Sequence, residues 1–97
     1  MTEFDISNVP NQKFNTNING RKFAFEFRTF RDIVYINVYV DDVLFCSGVK
    51  AVPNDSLFPS KVNEAAGGTF MFVSISDDYP SHTLFNGVAC RFVFNPY

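Results

Sequence analysis

The sequence predicts an all-β domain, either a small antiparallel β-sandwich or a partly closed barrel of about six to eight short strands. Runs of β-branched and aromatic residues, several with period-two alternation, are typical of strands. Dipeptides that favour tight turns separate these runs at short intervals. The sequence contains no long helical pattern and no alternation of strands and helices, so a parallel α/β sheet is not expected.

The composition fits one folded domain over residues 1–97. The chain is 46% hydrophobic and 19% charged, and its length allows a single core. It has 13 Phe and no Trp, and we expect most of these rings to fill the core and the remainder to contact partners. Residues 1–11 are expected to be a lead-in segment, and residues 53–68 a long loop.

The net charge limits the classes of partner that are expected, and the cysteine content indicates the compartment in which the protein folds. A formal charge of −2 argues against binding driven by nucleic-acid phosphates. Cys46 and Cys90 lie in predicted strands, and we expect buried free thiols. The N-terminal MTEFD lacks the features of a signal peptide, and no apolar run approaches the ~20 residues of a membrane span. These features favour synthesis in a reducing cytoplasm and no membrane partner.

The stretch Ile33–Val49 is predicted to form a central hairpin around Asp41-Asp42. A two-residue loop pairs Val40 with Val43, Val38 with Phe45, and Ile36 with Ser47. One face then carries Val34, Ile36, Val38, Val40, Val43, Phe45 and Val49. The other carries Tyr35, Asn37, Tyr39, Leu44 and Cys46. Because both faces are largely apolar, the hairpin is expected to lie in the middle of the fold or against a partner. Beyond Gly48 the strand either continues or bends at the glycine.

A first hairpin is predicted from Gln12–Ile18 and residues 21–30 around Asn19-Gly20, a strong type I′ turn signal. The expected pairs are Thr16 with Phe23, Phe14 with Phe25, Gln12 with Phe27, and Lys13 with Glu26. The expected core face consists of Phe14, Thr16, Ile18, Phe23, Phe25 and Phe27. The opposite face is polar and therefore expected to be solvated.

The connections carry their own signals. Arg31-Asp32 is expected to be a short link into the central hairpin. In the loop 53–68, three apolar residues are expected to pin the chain to the body: Leu57, Phe58 and Val62. SKVNEAA within this loop is compatible with one helical turn capped by Ser60, but it is too short for the pattern to predict a helix.

The last third of the chain is predicted to form two more strands. Thr69–Ser76 is apolar on both faces, which suggests a central position. A loop over Asp77–Ser81 and a turn at Asn86-Gly87 precede the final strand, residues 88–94. Its inward-facing residues are expected to be Val88, Cys90, Phe92 and Phe94.

Candidate chemistry is sparse. His82, the one histidine, has no local motif that supplies a nucleophile. No metal-ligand spacing is present, and the adjacent pairs Asp41-Asp42 and Asp77-Asp78 seldom converge on one ion. We therefore predict no catalytic residues, no metal and no cofactor, and a protein that is not an enzyme.

A contact surface is the remaining candidate site. The predicted protein-contact residues are Tyr35, Tyr39, Leu44, Phe58 and Tyr79. Either the face that carries Tyr35 and Tyr39 meets another protein, or a second sheet of the same chain covers it.

A series of short motifs occurs in order along nearly the whole chain. These are Asn11-Gln12-x-Phe14, Asn19-Gly20, YINVYVDD over residues 35–42, Gly48-Val49, Leu57, Gly67-Gly68 and Asp78-x-Pro80. In this order the sequence resembles the small baseplate plug proteins of contractile-tailed phages, a family described from a cyanophage. Two positions depart from that family: relatives often carry a Trp where this chain has Val34-Tyr35, and a Gly in the turn where it has Asp41-Asp42.

The resemblance implies a non-enzymatic virion component at the tail-tube end of the baseplate hub, which helps to close the channel until ejection. The implied partners are hub, spike and tail-tube proteins, together with further copies of this chain. An alternative from another class is a β-sandwich module that binds a glycan or peptide through Tyr35, Tyr39, Tyr79 and nearby Asn. A third is a hydrolase that uses His82 with Asp77-Asp78.

Overall fold

The computed structural model describes residues 2–85 and 89–97, which form two antiparallel sheets, one short α-helix and one 3₁₀ turn. The strands are β1 Thr2–Phe4, β2 Gln12–Ile18, β3 Arg21–Phe30, β4 Ile33–Val40, β5 Val43–Lys50, β6 Gly68–Ser74 and β7 Cys90–Pro96. Helix α1 spans Ser60–Ala66, and the 3₁₀ turn spans His82–Leu84. The predicted all-β, sandwich-like fold is confirmed. No helix in the described residues is long and apolar enough to cross a bilayer.

The core is a layer of phenylalanine rings between the two sheets. One sheet has the strand order β2-β3-β4-β5, and the other has the order β1-β7-β6. Ring contacts join Phe25 and Phe27 of the first sheet to Phe70, Phe72 and Phe92 of the second. The buried phenylalanines are Phe4, Phe23, Phe25, Phe27, Phe58, Phe70, Phe72, Phe85, Phe92 and Phe94. These ten of the 13 Phe confirm that the rings mainly fill the core.

The first hairpin has the predicted register throughout. Phe14 lies opposite Phe25, and Lys13 lies opposite Glu26. Asn19 and Gly20 take φ angles of 55° and 72°, the positive values that a type I′ turn requires. Phe23, Phe25 and Phe27 are at most 1% exposed. Alternation within the strands and the turn chemistry both specify this register.

The central hairpin has the predicted two-residue turn but a different register farther along. Val40 lies opposite Val43 as expected, whereas the predicted pairs of Val38 with Phe45 and Ile36 with Ser47 are wrong. The structure pairs Val38 with Cys46 and Ile36 with Val49, because β5 contains two register shifts. Gly48 has a φ of 65°, and its N–H donates to Asn37 Oδ1 over 2.8 Å. A side chain thus satisfies a backbone group in the irregular part of the ladder.

The shifts alter which residues of β5 reach the core. Val34, Ile36, Val38 and Val40 of β4 are buried, as predicted. Val43 is 59% exposed and not in the core, since β5 is the edge strand of its sheet. Phe45, Cys46 and Val49 are partly buried against the core. The predicted central position holds for β4 and not for β5.

Strand β6 is also an edge strand, so the central position predicted from its two apolar faces is wrong. The segment before α1 covers its free edge. Asn54 N–H donates to Phe72 O over 2.7 Å, and Leu57 N–H donates to Phe70 O over 3.1 Å. The side chain of Asn54 also accepts from Ser74 N–H and donates to Ser74 O. β7 occupies the middle of this sheet.

The segment over residues 53–68 is held to the body and contains α1. Leu57, Phe58 and Val62 are buried, which confirms that the apolar residues of this segment pin it. Pro59, and not Ser60, occupies the N-cap position, and no side chain caps the helix. The helix ends at Gly67, whose φ is 74° and whose N–H donates to Asn63 O.

The final strand β7 places Cys90, Phe92 and Phe94 in the core, as predicted. Burial raises the pKa of the Cys90 thiol to about 11. Both cysteines are free thiols, although Cys46 is only partly buried. The predicted turn at Asn86-Gly87 and the inward position of Val88 lie outside the described residues.

Candidate protein-contact surface

The outer face of the four-stranded sheet carries the tyrosines that the sequence singled out. We call it the tyrosine face and define it by Lys13, Glu26, Arg28, Tyr35, Asn37, Tyr39, Leu44 and Lys50. Its members alternate along the strands with residues that point into the core. The second sheet packs on the opposite, phenylalanine-rich side. The alternative that a second sheet covers Tyr35 and Tyr39 is therefore wrong in the described part of the chain.

Three rows of side chains cross this face. In the first, Leu44 lies opposite Tyr39, which lies opposite Ala24. In the second, Asn37 lies opposite Glu26, which lies opposite Lys13. The third row runs from Lys50 to Tyr35 to Arg28. The register of the sheet thus places Lys50 and Arg28 on either side of Tyr35.

Glu26 is the centre of a polar network on the tyrosine face. Asn37 Nδ2 donates to Glu26 Oε1 over 2.9 Å, and Arg28 Nη2 lies 2.8 Å from Glu26 Oε2. The hydrogen bond from Asn37 and then the Arg28 guanidinium lower the pKa of Glu26, against the opposing effect of partial burial. Asn37 also accepts from Gly48 N–H, so the network ties β3 and β4 to the irregular part of β5.

The two lysines of the tyrosine face lie over aromatic rings. Lys13 Nζ lies 4.8 Å from the ring centroid of Tyr39. Lys50 Nζ lies 4.9 Å from the ring centroid of Tyr79, which extends the face beyond β5. The attraction between an ammonium group and the negative face of a ring favours these positions of the two side chains. In the described residues, neither lysine has a carboxylate oxygen within 4.0 Å.

The end of the sheet near the Asp41-Asp42 turn is electrostatically neutralised. Asp41 accepts from Lys22 N–H and from Arg21 Nε, each over 3.0 Å, and these contacts lower the pKa of Asp41. Asp42 lies 2.9 Å from Lys22 Nζ. Both aspartates take positive φ angles, 50° and 66°. In this conformation Asp41 reaches Arg21 and Lys22 of the first hairpin.

The five predicted contact residues fall into two environments. Leu44 is 49% exposed and Tyr79 is 55% exposed, while Tyr35 and Tyr39 are half-buried. These four lie on or beside the tyrosine face. Phe58 instead lies in the core, where its ring packs on Phe25 and Phe70. Its side chain is 6% exposed and offers little surface to a partner.

Neither of the two clefts resolved in the described residues is lined by a predicted contact tyrosine. A groove of about 210 Å³ beside the tyrosine face is lined by Asn11, Gln12, Lys13, Glu26 and Arg28. A cleft of about 360 Å³ lies at the other sheet, where Glu3 and Arg91 are paired across 3.4 Å. These two clefts therefore do not bring Tyr35, Tyr39 and Tyr79 together around a small ligand.

The groups proposed for hydrolysis have other surroundings. Asp77 accepts a hydrogen bond from the side chain of Asn54. His82 begins the 3₁₀ turn, and its Nδ1 is buried without a hydrogen-bond partner in the described residues. In the described residues, no hydrogen bond joins His82 to Asp77 or Asp78. The base–carboxylate contact that a catalytic triad uses is therefore not formed.

Sequence reasoning missed the cationic part of this surface. Lys13 and Glu26 were correctly paired, but Lys50 was not placed beside Tyr35. No local signal indicates the position of Lys50, because two register shifts in β5 determine which residue of that strand lies opposite Tyr35. The contact between Lys50 and Tyr79 joins residues far apart in the chain and has no local signal.

Comparison with known proteins agrees with the order of motifs. The profile of the family described as "Cyanophage baseplate Pam3 plug gp18" matches residues 1–96. No curated protein matches the chain closely enough to count as a relative. The family match covers every strand of the sandwich and the whole tyrosine face. This chain belongs to the family of cyanophage baseplate plug proteins.

Proposed function

We propose that this protein plugs or stabilises the tail-tube end of a baseplate hub through protein–protein contacts. The observation that carries the proposal is the family match over residues 1–96, which indicates a structural baseplate role. The proposed neighbours are hub, spike and tail-tube proteins. The protein is made in the host cytoplasm and then becomes part of the virion tail.

The form of the molecule supports a role that depends on shape. Its phenylalanine core joins the two sheets through many ring contacts, which favours a rigid body. Its tyrosine face presents Tyr35 and Tyr39 on the regular strand β4 and Leu44 on the edge strand β5, without cover from the second sheet. Aromatic side chains on a firm scaffold are the residues that contribute most to protein interfaces.

The experiment is deletion of the gene from the phage, with complementation from a plasmid. We expect the deletion to give tails that lack density at the tube end of the baseplate, or baseplates that fail to assemble, and a large loss of infectious particles. The wild-type plasmid should restore both, and a frameshifted copy is the control. Deletion particles with a complete baseplate and normal infectivity would refute the proposal.

A further inference from the structure

Charge is distributed unevenly over the molecule. The tyrosine face carries three cations, Lys13, Arg28 and Lys50, and one carboxylate, Glu26, for a formal charge of +2. The other five Lys and Arg and the other nine Asp and Glu give the rest of the chain −4. A positive surface on an acidic protein is the arrangement expected where a partner of opposite charge binds.

The cations of this face are held in position and remain available for pairing. Lys13 and Lys50 lie over tyrosine rings and have no carboxylate oxygen within 4.0 Å in the described chain. The Arg28 side chain is 62% exposed although it also contacts Glu26. Side chains that are already ordered lose less entropy when they form an ion pair with a partner.

The occupant that these features favour is an acidic protein surface. Nucleic acid would call for a denser cluster of Lys and Arg than a net charge of +2. Leu44 and the two tyrosines add apolar contact area that phosphates do not use. A symmetric pair of two copies would set Lys13, Arg28 and Lys50 against their own equivalents, which like-charge repulsion opposes.

We infer that the tyrosine face binds a carboxylate-rich surface of a neighbouring tail protein, with Lys13, Arg28 and Lys50 pairing to its carboxylates around Tyr35 and Tyr39. This inference rests on the proposed function and specifies the chemistry of the partner. The tyrosines supply buried contact area, and the cations supply orientation and speed of association.

The test measures binding of the purified, labelled protein to tails isolated from the deletion phage. The face variant is Lys13→Glu/Lys50→Glu. The matched control is Arg31→Glu/Lys61→Glu, which makes the same change in net charge at exposed cations outside the tyrosine face. Thermal unfolding and circular dichroism verify that each variant is folded.

We expect the face variant to bind at least about tenfold more weakly than the wild type, because it places carboxylates against carboxylates. The control variant should bind within about twofold of the wild type. Wild-type affinity should also fall between about 50 and about 300 mM NaCl, because salt screens the attraction. The affinity of the face variant should not fall over this range, since salt then screens repulsion.

Four outcomes would overturn the inference. An equal loss of affinity for tails in the face and control variants would show that the net charge of the whole protein, and not the tyrosine face, determines binding. A salt-sensitive oligomer of the protein alone that the face variant abolishes would assign the face to a second copy. Binding to a short DNA duplex as tight as to tails, lost in the face variant, would assign it to nucleic acid. If the wild type fails to bind tails at either salt concentration, the proposed function falls together with the inference.

Discussion

At the scale of single residues, Glu26 illustrates how a polar group is accommodated on a contact face. Its side chain is 18% exposed and satisfies both oxygens through Asn37 and Arg28. These contacts lower the pKa of Glu26, so the folded protein binds this proton less readily than the unfolded chain. The resulting stability is fully present above the unfolded pKa of about 4.3 and is lost as the pH falls through the lowered folded-state pKa.

The change Glu26→Gln should therefore reduce the acid sensitivity of folding. We expect the wild type to lose more stability than the variant between about pH 5 and about pH 3, because only the wild type must protonate this carboxylate. Urea unfolding at a series of pH values measures the difference. Glu64→Gln is the control, since Glu64 is exposed on α1 and makes no ion pair in the described residues. Parallel pH profiles for Glu26→Gln and the wild type would contradict the assignment.

At the scale of elements, the segment before α1 covers the free edge of β6, and the side chain of Asn54 completes that cover. Asn54 has a φ of 55°, accepts from Ser74 N–H over 3.0 Å and donates to Ser74 O over 3.1 Å. Together with the contact from Asn54 N–H to Phe72 O, this continues the ladder without a further strand. Exposed strand edges invite pairing with other chains, and this segment blocks it.

Replacing Asn54 by Gly should destabilise the fold by about 1–3 kcal/mol, because both backbone groups of Ser74 lose their partner. Gly accommodates the left-handed backbone, so the loss reports the side chain and not strain. Chemical unfolding gives the change in free energy, and sedimentation tests for self-association through the opened edge. Ser56→Gly, in the same segment and exposed, is the control and should have a much smaller effect. Equal effects of the two changes would show that the hydrogen bonds to Ser74 contribute little.

The two hairpins show which elements local sequence can predict. The first follows from Asn19-Gly20 and from strict alternation, so its pairs and core face are predictable in full. In the second, the shifts of β5 involve Gly48, whose N–H donates to Asn37 Oδ1 on the neighbouring strand. The same distinction between local and distant contacts applies to the candidate contact surface. Tyr35 and Tyr39 were predictable from alternation in β4, and the burial of Phe58 was expected from the apolar residues of its segment. The position of Lys50, opposite Tyr35 and over the ring of Tyr79, depends on contacts between distant segments.

At the scale of the whole molecule, the short strand β1 helps to join the two sheets. Phe4 is 8% exposed and contacts the rings of Phe14 and Phe25 in one sheet and of Phe70 and Phe92 in the other. The residues expected to be a lead-in thus contain a strand and a core ring. This three-residue strand therefore supplies a core ring that contacts both sheets.

The change Phe4→Ala should destabilise the protein by about 3 kcal/mol or more, since it removes a buried ring that touches both sheets. For a domain of this size the melting temperature should fall by roughly 12 °C or more. Phe30→Ala makes the same chemical change at a ring that is 63% exposed, and we expect it to alter stability by less than about 0.5 kcal/mol. Differential scanning calorimetry compares the two. A melting temperature for Phe4→Ala close to that of Phe30→Ala would show that β1 is not part of the cooperative core.

The pairing of Thr2–Phe4 with Phe92–Phe94 has a consequence for synthesis. The four-stranded sheet is made from consecutive hairpins and can form as soon as Lys50 has left the ribosome, whereas the three-stranded sheet needs its central strand β7. Until then the phenylalanines of the first sheet lack their cover. The nascent chain therefore carries an open aromatic surface until β7 emerges, which is the interval in which a chaperone would be needed most.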